Sequence, residues 1–234
     1  MISDQPPIVV IACKVFQGLL ERFLPPDLAD QVTYLDYGLH ENPKKLTDAL
    51  QEQINSIQKP SLIVLGYGLC GNGLDGIQSG QHTLLIPRAD DCIAILLGSY
   101  QAYLREFNDN PGTYYLTKGW LESGSDPLKE YHEMVEKYGA ETGEWIMDQQ
   151  YRHYNRLVLV AHTQEDLETY RPRAQEVAEY CQRWDMKYEE IVGSDAYIRN
   201  LVGAASTLND SNEEFLVIAP GDVIQQSQFF RIPA

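Results

Sequence analysis

Apolar and polar positions alternate between two periods along this chain. Short unbroken apolar runs occur at 8–12 (IVVIA), 61–66 (SLIVLG) and 82–87 (HTLLIP), and a β-branched, aromatic run at 32–37 (VTYLDY). Runs of this length and content predict strands, and those without a polar face predict strands covered on both sides. Between them the period lengthens. Residues 15–24 carry apolar positions at helical spacing and stop at Pro25-Pro26, and Asn42-Pro43 opens a helix whose Leu46, Leu50, Ile54 and Ile57 share one face. A further helix is predicted over roughly 92–107. Strand, helix, strand, helix, strand, strand, helix is a doubly wound parallel pattern. Residues 111–155 differ: a strand, TYYLT, leads into Gly119-Trp120 and then a polar, aromatic helical stretch starting near Asp126-Pro127. From 156 the alternation resumes through RLVLVAH, a long helix, KYEEIVG, the helix AYIRNLVGAA and the strand EEFLVIAP. The pattern predicts an α/β protein of two Rossmann-like lobes with mainly parallel sheets, 1–110 and 156–234. A strand plus helical insertion, 111–155, joins them. No residue-level repeat relates the lobes.

Cysteine placement adds chemistry to this frame. Cys13, Cys70 and Cys92 each stand just beyond an apolar run. Parallel sheets assemble sites at the carboxyl ends of their strands, so these thiols are predicted to meet on one rim of the first lobe. A single free cysteine is usually a small core residue, but three at one end of successive strands point to a shared thiolate site. Cys181 falls within a helix and reads as packing. No C-x-x-C pair is present, so a sequence-local zinc knuckle is excluded and the ligands must be gathered by the fold. Three thiolates need a fourth donor or leave an open position. His40, after the second strand, is the leading protein candidate. His82 and His162 rank below it, and His132 and His153 lie in the polar insertion.

Charge surrounds the third thiol in IPRADDC. Arg88 is a candidate to hold a substrate carboxylate or a thiolate. Asp90 and Asp91 are candidates to orient a histidine, bind a metal or cap the next helix, and for Asp91 the cap is favoured. A cysteine in that first helical turn is expected to have its pKa lowered by the helix dipole, which makes Cys92 the expected thiolate. The loop around Cys70 contains Gly66-x-Gly68-x-x-Gly71, literally a dinucleotide fingerprint, with Gly68 and Gly71 as the cofactor-binding candidates. It follows the third strand rather than the first, and no apolar-periodic helix starts at its third glycine. The plainer reading is a turn whose glycines bring backbone close to Cys70. Pro220-Gly221-Asp222 reads as a turn after the last strand, although Asp222 could face the cleft.

Composition then removes several function classes. The 234 residues carry a formal charge of −16, which repels phosphate backbones and anionic lipid, so nucleic-acid and membrane partners are not expected. No run approaches the roughly 20 apolar residues of a membrane span, and MISDQPPIVVIAC lacks the basic start of a signal peptide. A cytoplasmic protein is expected, in which scattered thiols stay reduced and serve as ligands, nucleophiles or core residues. Fifteen tyrosines, several between Tyr100 and Tyr154, suggest a cleft wall or a homodimer interface.

The segments GLHENPKKL, VLGYGLCGNGLDG, IPRADDCIAILLGS and PGTYYLTKGWLE together resemble the family called domain of unknown function 1638, over most of residues 8–220. The resemblance implies Cys13, His40, Cys70, Arg88, Asp91 and Cys92 as site residues. It also implies a setting in anaerobes beside corrinoid-dependent methyl-transfer genes. Asp90 stands where many members are expected to have histidine, and a carboxylate there hardens the donor set. The leading expectation is a metal- or metal-cofactor-binding protein with a three-cysteine site, zinc by default, an iron–sulfur cluster or corrinoid cobalt as variants. A metal-free, racemase-like cysteine enzyme acting between the lobes is the second. A regulatory protein binding a small ligand is the third.

Overall fold

The structure is a computed structural model that describes residues 6–208 and 211–231. In chain order the elements are β1 (Ile8–Cys13), α1 (Gln17–Phe23), β2 (Gln31–Leu35), α2 (Pro43–Ser56), β3 (Leu62–Gly66), β4 (Thr83–Pro87), α3 (Cys92–Leu96), α4 (Tyr100–Asp109), β5 (Thr113–Thr117), α5 (Lys118–Ser123), α6 (Pro127–Tyr138), α7 (Ala140–Tyr151), β6 (Arg156–Ala161), α8 (Gln164–Cys181), β7 (Lys187–Val192), α9 (Ala196–Thr207) and β8 (Phe215–Ile218). The α/β class follows from this alternation. One expected helix is two: α3 stops at Leu96, and Gly98 takes φ +89° before α4 begins. The polar helical stretch is likewise divided into α6 and α7 by Gly139, φ +81°.

The strands form two sheets. The first has the order β2-β1-β3-β4-β8, the second β5-β6-β7. All pairs are parallel except β4–β8. The chain accordingly divides into one compact unit made of residues 1–100 and 195–234 and another made of residues 101–194. This differs from the expected cut at 110 and 156. Residues 111–155 are not a bridge, because β5 pairs with β6 along its whole length and belongs to the second sheet. Residues 195–234 return to the first unit, where β8 lies antiparallel against β4 with Leu84 opposite Ile218 and Ile86 opposite Leu216.

The first unit is built on a fully apolar strand. Every residue of β3 is buried, as expected for a strand with neighbours on both edges and cover on both faces. Leu46, Leu50 and Ile54 of α2 pack on one side of this sheet with Ile63, Leu65, Leu84 and Leu216. Asn42 caps α2, its side chain accepting from the Lys45 N–H at 3.2 Å, with Pro43 in the first turn. Gly66 marks a close approach of two strands, since a Cβ there would stand 2.5 Å from the Ala12 Cβ across the register. The carboxyl ends of β1 and β3 are thereby held tightly side by side.

The second unit has its own core of Leu116, Leu157, Leu159, Met147, Val177 and Cys181. Arg156 is almost wholly buried and joins β6 to Glu106 and Glu189 at 2.7 and 2.6 Å. The tyrosines Tyr114, Tyr151 and Tyr154 pack edge to face or tilted against one another within this core, with Trp184 beside Tyr151.

Candidate functional site

Cys13 is the last residue of β1. Register pairs it with Leu35 at the end of β2, and pairs Ala12 with Gly66 at the end of β3. The next residues outward, Asp36 just beyond β2 and Tyr67 just beyond β3, follow on the same rim. Cys70 follows three residues after Tyr67, in a turn where Cys70, Gly71 and Asn72 all have positive φ, at 47°, 61° and 73°. Glycine and, less often, asparagine adopt that conformation readily, so Cys70 is the residue held there by its surroundings. Two backbone bonds supply part of the hold: the Leu69 N–H donates to the Ala89 carbonyl at 2.8 Å and the Cys70 N–H to the Asp90 carbonyl at 2.9 Å. The loops beyond β3 and β4 therefore run stitched together, and Cys92 is carried to Cys70.

Gly68 permits this stitching. A Cβ there would lie 2.8 Å from the carbonyl carbon and oxygen of Asp91 and 2.9 Å from the Ala89 oxygen. No helix starts at Gly71, which sits in a run of turns. The glycines of this loop serve backbone approach, and the dinucleotide geometry of a strand leading directly into a helix is not formed.

The three cysteines are half-buried as residues, and all are free thiols. Desolvation of the sulfur is the largest influence on each. It raises Cys13 to about 11 and raises Cys70 and Cys92 well above the ordinary range. The charges of Asp91 and Cys13 push Cys70 up further, and those of Asp91, Cys70 and Cys13 push up Cys92. Backbone N–H groups oppose this, from Val15 at Cys13 and from Gly68 and Cys92 at Cys70. The expectation of a low Cys92 pKa is corrected: burial and negative neighbours outweigh any help from a helix of five residues. Cys13 ends β1, while Cys70 and Cys92 stand in the loops beyond β3 and β4, and these three strands are neighbours in the first sheet.

Asp91 caps α3, its carboxylate accepting from the Ile93 N–H at 2.8 Å. Burial raises its pKa. Arg88 turns elsewhere: its guanidinium donates to the Phe230 carbonyl, and its own carbonyl accepts from Arg231 at 2.8 Å. It fastens the end of the described chain beside β4. His40 lies in a 3-10 turn, Tyr37–Glu41, with Nδ1 bonded to the Tyr37 carbonyl. The residue of this segment whose charge acts on Cys13 is Asp36, which caps the turn by accepting from the Gly38 N–H at 3.1 Å. His82 stands at the opposite, amino end of β4, buried, with burial lowering its pKa. His132 and His153 lie in or just after the α6–α7 pair and His162 just after β6, all in the second unit. Cys181 is a core residue of α8. Asp222 belongs to a turn, its N–H donating to the Ala219 carbonyl at 3.1 Å and its carbonyl accepting from Ser79.

Sequence reasoning passed over Asp36 and Tyr67. Both are the first residue beyond a strand on the rim that holds Cys13, so listing every such residue, and not only the cysteines, would have found them. Among the described residues no three His, Cys, Asp or Glu side chains already stand grouped as metal ligands, and no helix is long and apolar enough to cross a membrane.

A profile of the family described as "Protein of unknown function (DUF1638)" matches residues 34–202, well over half of the chain. No curated protein and no solved structure matches it. The chain belongs to that family.

Proposed function

We propose that this member of the family binds one soft or borderline divalent cation, zinc first, through Cys13, Cys70 and Cys92. The fourth donor is His40, whose Nδ1 bond to the Tyr37 carbonyl is of the kind a metal-bound imidazole makes, or an exogenous group. What supports this reading is the placement of the three thiols at or just beyond the carboxyl ends of β1, β3 and β4, which are adjacent strands of one sheet. Without a cation, burial keeps all three protonated, because neighbouring thiolates would repel one another in a poorly solvated place. A dication reverses that balance, since a coordinating thiol is deprotonated outright. Thiolate sulfur favours zinc over calcium or magnesium. Binding draws the sulfurs inward from the positions they hold as thiols and releases protons to solvent.

The raised pKa values support this reading over a metal-free cysteine enzyme, which needs a thiolate near neutral pH. The partition of thiols points the same way: the second unit offers only Cys181, packed in its core. The test is metal analysis of protein purified without oxygen, for the wild type and for Cys13→Ser, Cys70→Ser and Cys92→Ser. The expected result is one bound cation in the wild type, lost in each variant. A wild type that takes up no zinc, or three variants that keep their metal, would overturn the proposal.

A further inference from the structure

Tyr67 is 3% exposed, and its hydroxyl has no hydrogen-bond partner among the described residues. Leaving a buried hydroxyl unpaired forfeits its hydration without replacement, and folds seldom leave one so without a use for it. Its position is set by the sheet. Because Ala12 pairs with Gly66, the next residues along β1 and out of β3, Cys13 and Tyr67, are neighbours. Cys13 and Cys70 both pack against the apolar cluster that contains the Tyr67 ring. The charges that reach the phenol are those of Cys13, Cys70 and Asp36, each of them an acceptor once ionised.

We infer that the Tyr67 hydroxyl is a donor held for the ionised form of the thiol site, hydrogen-bonding a Cys13 or Cys70 sulfur when a cation is bound. It is a positioning residue, and the inference rests on the metal-site reading above. A thiol sulfur is a weak acceptor, so the hydroxyl gains little from it while the site is empty. When the thiol passes its proton to solvent on binding, the sulfur becomes anionic and the bond becomes charge-assisted. Asp36 does not take the place of Tyr67, since that carboxylate is engaged by the Gly38 N–H.

The experiment is competition for Zn²⁺ between the protein and a chelator across a pH series, on the full chain, in the wild type and in Tyr67→Phe. The variant is expected to bind roughly 10–100-fold more weakly, as is usual for loss of a supporting bond. The pH midpoint of its binding moves upward, and its metal-free thermal stability is unchanged or raised. Fluorotyrosine at position 67 keeps the ring and is a stronger donor, so it is expected to tighten binding and move the midpoint down. Wild-type affinity and midpoint in both variants would overturn the role of Tyr67 while leaving the metal site intact. A wild type that binds no Zn²⁺ would overturn the metal site, and this inference with it. If Tyr67→Phe does not fold, the fluorotyrosine arm decides alone.

Discussion

At Cys13 burial raises the thiol to about 11, against an ordinary value of 9.0. The folded chain therefore holds a proton that the unfolded chain gives up. That contribution to stability is complete below about pH 9 and is lost as pH rises toward 11. Metal-free protein is expected to be less stable at pH 10 than at pH 7 by on the order of 1 kcal/mol from this residue alone, read by urea unfolding, and Cys13→Ser should remove that part of the slope. Asp91 acts in the same sense over a lower pH range. Its pKa is raised by burial, so its stabilising share is present only at acid pH and disappears once it ionises. Asp91→Asn keeps an oxygen for the Ile93 N–H and removes the charge. Metal-free Asp91→Asn should be as stable as wild type or more so, whereas Asp91→Ala should lose about 1 kcal/mol with the cap. Because Asp91 also pushes up Cys70 and Cys92, alkylation of these thiols near pH 8 should be faster in Asp91→Asn. The thiols and the cap were legible in the sequence because each is fixed by one local rule. The direction of the Cys92 shift was not, because desolvation depends on what surrounds a sulfur and not on its place in a helix.

Between elements, the site depends on two loops lying against each other. Gly68 is the contact, with Asp91 and Ala89 backbone under 3 Å from where a Cβ would be. Gly68→Ala should cost about 1–3 kcal/mol, the usual range for overpacking, and should separate Cys70 from Cys92. The expected readout is a lower unfolding midpoint together with lost zinc uptake. Gly71→Ala, whose Cβ would meet only the Pro43 Cγ at 3.6 Å, is strained through its φ of +61° instead. Strands and most helices were legible from period and punctuation, since a short apolar run or a 3.6-residue stripe has few alternatives. Where one expected helix became two, at Gly98 and at Gly139, the break lies in a single positive-φ glycine. Periodicity carried through both positions and masked it.

For the whole molecule, the pairing of β8 with β4 makes the first unit discontinuous in sequence. Leu216→Ala, which removes a buried side chain facing Ile86, should destabilise this unit by about 2–5 kcal/mol. With Zn²⁺ present, hydrogen exchange should slow in β1, β3 and the turn at 66–72 and stay as it was in β6, whose core is separate. Slower exchange in β6 with no change in β1 or β3 would contradict the placement of the ion. By itself the sequence determined the α/β class, the strand runs and a rim of thiols at strand ends, because burial periodicity and the polarity of parallel sheets are properties of contiguous residues. Only the tertiary structure decided which sheet each strand joins, that Tyr67 and Asp36 share the rim with Cys13, and that Arg88 faces the chain end. Those outcomes rest on pairing between residues far apart in sequence, where burial and neighbouring charge are set by the partner and not by the segment.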